Sequence, residues 1–332
     1  MRAVVCKSYG PPESLVLEDV PAPQAKPNQV VVAVKAAAIN FPDSLIIQGK
    51  YQIKPEPPFS PGFEVAGVIK SCGSEVTDFK PGDRVIAITT WGGYAEEVAV
   101  DAENVIPMPE AMDFDAASAF MTTYGTSYYA LKDRAQLRKG ETLLVLGASG
   151  GVGLAAIQVG KALGAKVIAA ASSDAKLAIC KQEGADELIN YGNADGTRDG
   201  AADMRARIKA ITQGRGVDVV YDPVGGEFSE RALRDMAWNG RFLVVGFATG
   251  TIPKIPLNLA LLKNCAIVGV FWIAFTKNER EASRRNNEEM TRLVNSGALR
   301  PHLHARYPLE RAAEALNEVL AQRSSGKVVL IP

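Results

Sequence analysis

Histidine and cysteine, the residues that most often bind transition metals, are scarce in this chain. Two histidines stand near its end, and two ligands without a third rarely hold zinc. The cysteines form no C-x-x-C pair and suggest no disulfide framework, which favours a reducing, cytoplasmic compartment. We therefore expect neither a bound metal nor a disulfide. The residues are His302 and His304, and Cys6, Cys72, Cys180 and Cys265.

Charge of one sign and long apolar runs are also missing. Lysine plus arginine number 37 and aspartate plus glutamate number 37, so the formal net charge is zero. Basic residues are interleaved with acidic ones, which argues against nucleic acid or an anionic membrane as partner. No apolar run reaches the roughly 18 residues of a membrane-spanning helix, and the first residues lack the apolar segment of a signal peptide. We expect a soluble cytoplasmic protein.

The sequence does contain enough apolar residues to form the hydrophobic cores of two domains. It has 332 residues, of which 47% are hydrophobic and 22% charged, as in an ordinary globular protein. The first 122 residues predict a β-rich domain with many turns, including strands over 30–36, 63–71 and 84–89. Residues 81–83 (Pro-Gly-Asp) predict a turn, because proline presets φ and glycine permits positive φ.

From about residue 123 the pattern changes to strands that alternate with helices, which predicts a parallel, doubly wound sheet. We expect a β-rich domain over 1–122, a dinucleotide-binding domain over 123–266, and a C-terminal segment over 267–332 that returns to the first domain. The strands predicted in the alternating part are 142–146, 166–171, 187–190, 217–221, 241–246 and 266–271, with helices over 152–163, 201–211 and 227–237 among them; a closing strand is predicted over 327–331.

The most informative segment is a strand–turn–helix–strand unit near the middle of the chain. Its turn reads Ala148-x-Gly150-x-x-Gly153, a variant of the dinucleotide-binding G-x-G-x-x-G with alanine first. Gly150 would let the backbone approach a pyrophosphate, and Gly153 would let the helix pack close to the strand. The N–H groups at the helix start, with Gly151 and Val152, would bind the anion. The order of elements favours a dinucleotide site over a chance glycine-rich turn.

The residues after the second strand of this unit indicate which dinucleotide binds. An NAD site usually places an acidic residue there to bind the ribose 2′-hydroxyl. Here the strand runs into Ser172 and Ser173, with Lys176 beyond, and small hydroxyls with a lysine suit the 2′-phosphate of NADPH. Asp174 is expected to cap the next helix. The alternative is that Asp174 binds a 2′-hydroxyl, which would mean NAD.

Several motifs in order carry a family resemblance over essentially the whole chain. They are residues 37–43 (AAINFPD), 61–67 (PGFEVAG), 79–85 (FKPGDRV), the Gly150 turn and 325–330 (SGKVVL). The chain resembles the zeta-crystallin-like NADPH:quinone oxidoreductase branch of the medium-chain dehydrogenase/reductase superfamily. The resemblance implies an α/β protein with a GroES-like β-rich catalytic domain and a Rossmann domain, NADPH as cofactor, and a homodimer.

Two positions depart from the zinc alcohol dehydrogenases of that superfamily. Where those enzymes place a cysteine and a histidine on the catalytic zinc, this chain has Asn40 and Phe63, and neither supplies a thiolate or an imidazole. Without a metal Lewis acid, oxidation of simple alcohols is not expected. The expected acceptor is already electrophilic: a quinone or an activated carbon–carbon double bond.

Three residues are the candidates for the catalytic floor that the resemblance implies. Asn40 and Asp43 would order ribose, water or substrate, and their alternative role is to cap a turn. Tyr51 would hydrogen-bond an acceptor carbonyl and could donate a proton. Its alternative role is to pack on Pro55 or Pro57.

The remaining candidates are cofactor contacts that the resemblance and the strand ends imply. Each has a structural alternative: a capping hydroxyl for Thr123, apolar packing for the aromatic residues, and a solvated side chain for the arginine. They are Thr123, Tyr191, Gly246, Phe247, Phe271, Trp272 and Arg323.

The sequence thus predicts a zinc-independent NADPH-dependent reductase that transfers hydride to a quinone, with positioning in a cleft between domains as the main source of catalysis. One alternative is an enoyl or acrylate-type reductase, for which Tyr51 is the best proton donor. A second is a non-enzymatic, crystallin-like NADPH-binding protein. The apolar sixth strand of the predicted sheet, 266–271, would lie at an edge, which favours pairing with a second copy.

Overall fold

Alternating apolar residues and turns produce the expected strands in the first part of the chain. The computed structural model describes residues 1–192 and 201–332. The predicted turn at Gly82 is present, with φ at +97°. The strands here are β1 (Arg2–Val5), β2 (Val16–Asp19), β3 (Gln29–Ala38), β4 (Glu64–Cys72), β5 (Arg84–Ile88), β6 (Glu97–Asp101) and β7 (Val105–Pro107), and the α-helices are α1 (Phe41–Ile46) and α2 (Phe114–Ser118).

The middle of the chain alternates strands and helices as predicted. A π-helical turn, Met121–Gly125, leads into it. The strands are β8 (Thr142–Val145), β9 (Lys166–Ala171), β10 (Glu187–Asn190), β11 (Val217–Asp222), β12 (Met236–Val244) and β13 (Ala266–Gly269). The helices are α3 (Thr126–Tyr128), α4 (Gly151–Ala162), α5 (Asp174–Gln182), α6 (Ala201–Ile211), α7 (Glu227–Arg234), α8 (Asn258–Lys263), α9 (Trp272–Asn278) and α10 (Arg280–Asn295).

Within the described residues, β8–β13 form one parallel sheet in the order β10-β9-β8-β11-β12-β13. The chain runs from β8 outwards to β10 and then returns to the other side of β8, so the order reverses there. In such a sheet, ligands bind at the carboxyl ends of the strands next to the reversal. The helix predicted over 227–237 is shorter than expected, because residues 236–244 pair with β11 as a strand.

The last part of the chain completes the first sheet. It contains β14 (Leu303–Pro308), α11 (Ala312–Leu320) and β15 (Lys327–Ile331). β15 pairs antiparallel with β3, and the described strands follow the order β14-β15-β3-β4-β5-β7, with β6 also on β3. The chain is therefore an α/β protein with a GroES-like sheet domain and a parallel-sheet Rossmann domain.

Chain contacts divide the protein into two compact units. The first unit is Met1–Thr122 with Arg300–Pro332, and the second unit is Thr123–Leu299. The sequence assigned residues 267–299 to the returning segment, but they lie in the second unit, because β13 is hydrogen-bonded to β12 and the next two helices follow it. The return to the first unit begins at Arg300.

We find no helix, in the ranges 1–192 and 201–332, that is long and apolar enough to cross a membrane.

Candidate functional site

The glycine turn of the second unit joins β8 to α4. Gly147 has φ at +57°, so it makes the left-handed bend, and the buried Ala148 then bonds to β9 through its N–H and the oxygen of Ala170 at 3.0 Å. A Cβ on Gly153 would lie 2.5 Å from the oxygen of Gly147 and 2.6 Å from that of Ala148. Glycine at 153 is therefore required by the close packing of α4 on the turn that follows β8.

Gly150 differs from Gly153, because the fold leaves room for a side chain there. It caps α4 in an extended conformation, with φ at −72°. The nearest atom to a Cβ on Gly150 would be the oxygen of Gly147, at 3.4 Å. The first intrahelical bond runs from the N–H of Leu154 to the oxygen of Gly150. The N–H groups of Gly151, Val152 and Gly153 thus precede that bond, which is the geometry of an anion-binding helix start.

A serine–lysine pair follows β9. The Lys176 ammonium donates to the Ser172 hydroxyl at 3.3 Å, and the Ser173 side-chain oxygen accepts the N–H of Lys176 at 3.4 Å. Ser173 is therefore the N-cap of α5, and the expectation that Asp174 caps this helix is wrong. Asp174 is the first residue of the helix and accepts a hydrogen bond from Asn190 at 2.7 Å. The structure brings Ser172, Ser173 and Lys176 together at the carboxyl end of β9.

The other cofactor candidates of the second unit differ in exposure. Thr123 is buried within the π-helical turn. Tyr191 is buried and packs on Phe228, with ring centroids 4.7 Å apart, so its ring contributes to the apolar core. Gly246 and Phe247 follow β12 and are partly exposed.

Phe271 and Trp272, which follow β13, have opposite environments. Phe271 is 55% exposed, whereas Trp272 is 5% exposed. A Cβ on Gly125 would lie 2.7 Å from the indole ring of Trp272, so this ring packs directly on the π-helical turn. In the first unit, the exposed Arg323 forms an ion pair with Glu318 at 3.1 Å.

Asn40 and Asp43 open α1 and are buried in the first unit. The N–H of Asn40 donates to Oδ2 of Asp43 at 2.7 Å, and the Tyr94 hydroxyl donates to the same oxygen at 2.8 Å. The Lys327 ammonium donates to Oδ1 of Asn40 and to the oxygen of Ile39, each at 2.6 Å. The two candidates therefore cap a helix and also belong to a larger set of buried polar groups.

Glu64 completes this set, which we call the buried polar cluster: Asn40, Asp43, Glu64, Tyr94 and Lys327. The Glu64 carboxylate accepts the N–H groups of Met121 at 2.5 Å and Thr122 at 3.2 Å. Burial raises the pKa of Asp43 to about 6 and that of Glu64 to about 7, although the charge of Lys327 opposes both shifts. Burial lowers the pKa of Lys327 to about 8.

Tyr51, the third catalytic candidate, is half-buried near this cluster. Burial raises the pKa of its phenol, and the negative charge of Asp43 raises it further. The phenol therefore stays protonated at neutral pH and can act as a hydrogen-bond donor.

The side chains at positions 40 and 63 offer neither the thiolate nor the imidazole that zinc prefers. Phe63 presents a buried hydrocarbon ring, and the amide oxygen of Asn40 accepts from the Lys327 ammonium, whose charge repels a metal cation. His304 faces Glu318 at 3.6 Å. No group of three or more His, Cys, Asp or Glu side chains that could hold a metal occurs in the part of the chain that the structure describes.

Sequence reasoning missed Glu64, Tyr94 and Lys327 as members of the site. The sequence did offer a reason to consider two of them, since Glu64 and Lys327 lie in the motifs that carry the family resemblance. Lys327 is also a charged residue at the start of the apolar strand β15. Tyr94 carried no signal in the sequence. It contacts Asp43 because the chain folds back across 51 positions.

Family models match both parts of the chain. One described as alcohol dehydrogenase GroES-like domain matches residues 26–110, and one described as zinc-binding dehydrogenase matches residues 151–288. The quinone oxidoreductase-like protein 2 homolog of Nematostella vectensis is 39% identical over 99% of this chain and 88% of its own length. Quinone oxidoreductase of Homo sapiens is 34% identical over 100% of this chain and 98% of its own length.

Solved structures match over the full length. The crystal structure of Escherichia coli quinone oxidoreductase complexed with NADPH has a TM-score of 0.89 and 31% identity, and the match covers 100% of both chains. A probable oxidoreductase from Mycobacterium abscessus has a TM-score of 0.89 and 41% identity, covering 100% of this chain and 99% of that one.

Proposed function

The chain belongs to the quinone oxidoreductase branch of the medium-chain dehydrogenase/reductase superfamily, and from that premise we propose that it is a zinc-independent, NADPH-dependent reductase that transfers hydride to a quinone. One observation carries the proposal. The Gly150 turn and the Ser172–Lys176 pair follow adjacent parallel strands, β8 and β9, at their carboxyl ends. That arrangement suits a dinucleotide with a 2′-phosphate.

The residues present fit NADPH. The start of α4, with Ala148, Gly150, Gly151, Val152 and Gly153, would hold the pyrophosphate, and Ser172, Ser173 and Lys176 would hold the 2′-phosphate. When bound, the dihydronicotinamide supplies the hydride. The E. coli relative, a quinone oxidoreductase complexed with NADPH, supports this assignment. The further proposed contacts are Thr123, Tyr191, Gly246, Phe247, Phe271, Trp272 and Arg323.

The donor set of the first unit favours an electrophilic acceptor. The Lys327 ammonium beside Asn40 opposes the binding of a Lewis-acidic metal cation there, and the Tyr94 hydroxyl adds a hydrogen-bond donor. A quinone needs no such activation, because its carbonyl groups accept hydride readily. We therefore propose Asn40, Asp43 and Tyr51 as the residues that orient the acceptor.

An acceptor panel followed by NADPH absorbance tests the proposal. We expect turnover with quinones, and a loss of less than about tenfold in Tyr51→Phe, since a hydroquinone oxygen can take its proton from water. If the protein is instead an enone or enoyl reductase, Tyr51→Phe should lower C=C reduction by about 10²–10⁴-fold, the usual contribution of a general acid. NADPH binding without turnover of any acceptor would favour a crystallin-like binding protein.

The metal content gives a separate prediction. Because Asn40 and Phe63 offer no thiolate or imidazole and Lys327 adds a positive charge, the purified protein should be active without zinc. Elemental analysis should find far less than one zinc per chain, and a chelator should not change turnover. Close to one tightly held zinc per chain, with activity lost on chelation, would contradict the prediction.

We propose that the protein assembles with a second copy of itself. Among the strands that the structure describes, β13 is at one end of the parallel sheet, so its outer edge is available for pairing. We expect a two-fold dimer in sedimentation at micromolar concentration. Large apolar side chains are also exposed in this part of the second unit, between β12 and the residues just after β13. They are Trp238, Ile252, Leu257, Leu261, Leu262, Ile267 and Phe271.

Ile267→Lys should shift the dimer towards monomer, because it places a charge on the strand that would pair. Leu17→Lys is the matched control, since Leu17 is 37% exposed and Ile267 is 38% exposed, and Leu17 lies on β2 of the other unit. A wild-type monomer, or equal effects of the two substitutions, would contradict the proposed interface.

A further inference from the structure

Lys327 is a lysine whose ammonium is held inside the first unit. It is the first residue of β15, and 6% of its surface is exposed. Its two acceptors, the oxygen of Ile39 and Oδ1 of Asn40, are uncharged. A buried charge is costly unless opposite charges compensate it. A lysine at position 327 therefore lowers the folding stability relative to an apolar residue, unless its charge is compensated.

The charges of two carboxylates offset part of this cost. The charges of Glu64 and Asp43 raise the pKa of Lys327, and its charge in turn lowers theirs, against the effect of burial on each. The other titratable groups that face these carboxylates are the phenols of Tyr94 and Tyr51. In the buried polar cluster, Lys327 thus supplies one positive charge to two acids.

The contact with Asn40 also determines how its carboxamide is oriented. An ammonium can only donate, so the amide oxygen must face Lys327 and the NH2 group must face away. That NH2 group lies 3.4 Å from the oxygen of Ala38, longer than the roughly 2.9 Å of an ordinary N–H···O bond. The amide therefore keeps donor capacity for another acceptor.

Glu64, the second member of the buried polar cluster that the Lys327 charge affects, holds the backbone that precedes Thr123. Its carboxylate holds the N–H groups of Met121 and Thr122, which open the π-helical turn. A protonated Glu64 would bind these donors less strongly, because charged acceptors make the stronger hydrogen bonds. The ammonium, by favouring ionised Glu64, supports that anchor.

We propose that Lys327 is a positioning residue for the reduction: its ammonium orients the Asn40 carboxamide so that the amide offers N–H donors to the carbonyl oxygen of the acceptor. This inference rests on the proposed function for its substrate. The acceptor oxygen gains negative charge when hydride arrives and later takes a proton from water. An N–H donor stabilises that charge, whereas an amide oxygen would oppose it.

Lys327→Met removes the charge and the donor but keeps an unbranched side chain. We expect kcat with a quinone to fall at least about 100-fold, the scale of losing one aligned donor. NADPH affinity, measured by tryptophan fluorescence, should change less than about threefold, because the proposed phosphate contacts of the second unit are untouched. Lys35→Met, which replaces an exposed lysine on β3, is the matched control and should change neither. A Lys327→Met kcat within threefold of wild type would overturn the proposal.

A loss of stability could also lower kcat, so a second variant separates the two effects. Lys327→Met/Glu64→Gln removes one charge of each sign and should recover most of the melting temperature that Lys327→Met loses. It should not recover kcat, because the Asn40 amide still lacks its ammonium. Full recovery of both quantities would mean that Lys327 has only a structural role.

The amide orientation has a readout that does not depend on turnover. In a ¹⁵N–¹H spectrum, the side-chain NH2 signals of Asn40 are identified by their absence in Asn40→Asp. Lys327→Met should shift or broaden them, and Lys35→Met should not; unmoved signals would overturn the proposal. A wild-type protein that reduces no quinone would contradict the proposed function instead, and the Asn40 signals would still show whether Lys327 orients the carboxamide.

Discussion

Lys176→Glu should remove most of the preference for NADPH over NADH. The ammonium of Lys176 lies 3.3 Å from the Ser172 hydroxyl at the end of β9, where a 2′-phosphate is proposed to bind. A partly exposed contact of this kind contributes on the order of 1–2 kcal/mol, and the substitution replaces attraction with repulsion. We expect the ratio of kcat/KM values for the two cofactors to fall at least about 30-fold, with kcat/KM for NADH little changed.

Lys181→Glu is the matched control for this experiment. Lys181 lies on the same helix, α5, and its ammonium bonds to the backbone oxygen of Asp186 at 3.2 Å. The change in net charge is the same, so an effect confined to Lys176 must come from its position. If wild type uses NADH as well as NADPH, or if Lys176→Glu loses both equally, Asp174 becomes the better candidate for the ribose contact.

Gly150→Ala and Gly153→Ala should fail in different ways, although both residues belong to one motif. A methyl group on Gly153 would lie 2.5–2.7 Å from backbone atoms of Gly147 and Ala148. We expect Gly153→Ala to destabilise the protein by about 2 kcal/mol or more, which lowers the melting temperature by roughly 3 °C or more, and to weaken binding of both cofactors.

A methyl group on Gly150 meets its first protein atom at 3.4 Å, and the φ of −72° suits alanine. Gly150→Ala should therefore keep the melting temperature within about 2 °C of wild type. It should raise the Kd of NADPH at least about tenfold, because the methyl group would occupy the space proposed for the pyrophosphate. Unchanged NADPH binding in Gly150→Ala would contradict the assignment of this turn.

Much of the fold was accessible from local sequence patterns. The strands predicted over 166–171, 187–190 and 327–331 have the observed limits of β9, β10 and β15. The helix predicted over 227–237 was too long, because residues 236–244 have long-range partners on β11 and β13 that a local helical pattern does not show. The capping residue of α5 was placed one position late, since Ser173 and Asp174 are both good caps and only the backbone geometry distinguishes them.

The sequence by itself determined the features that depend on neighbours along the chain. The glycine-rich turn between a strand and a helix, the scarcity of zinc ligands and the order of strands and helices all follow from residue types and their spacing. Only the tertiary structure decided what surrounds Asn40. Lys327 reaches it across 287 positions because β15 pairs with β3, and Tyr94 reaches Asp43 across 51. Burial then shifts the pKa values of Asp43, Glu64 and Lys327, and burial is a property of packing that no local pattern contains.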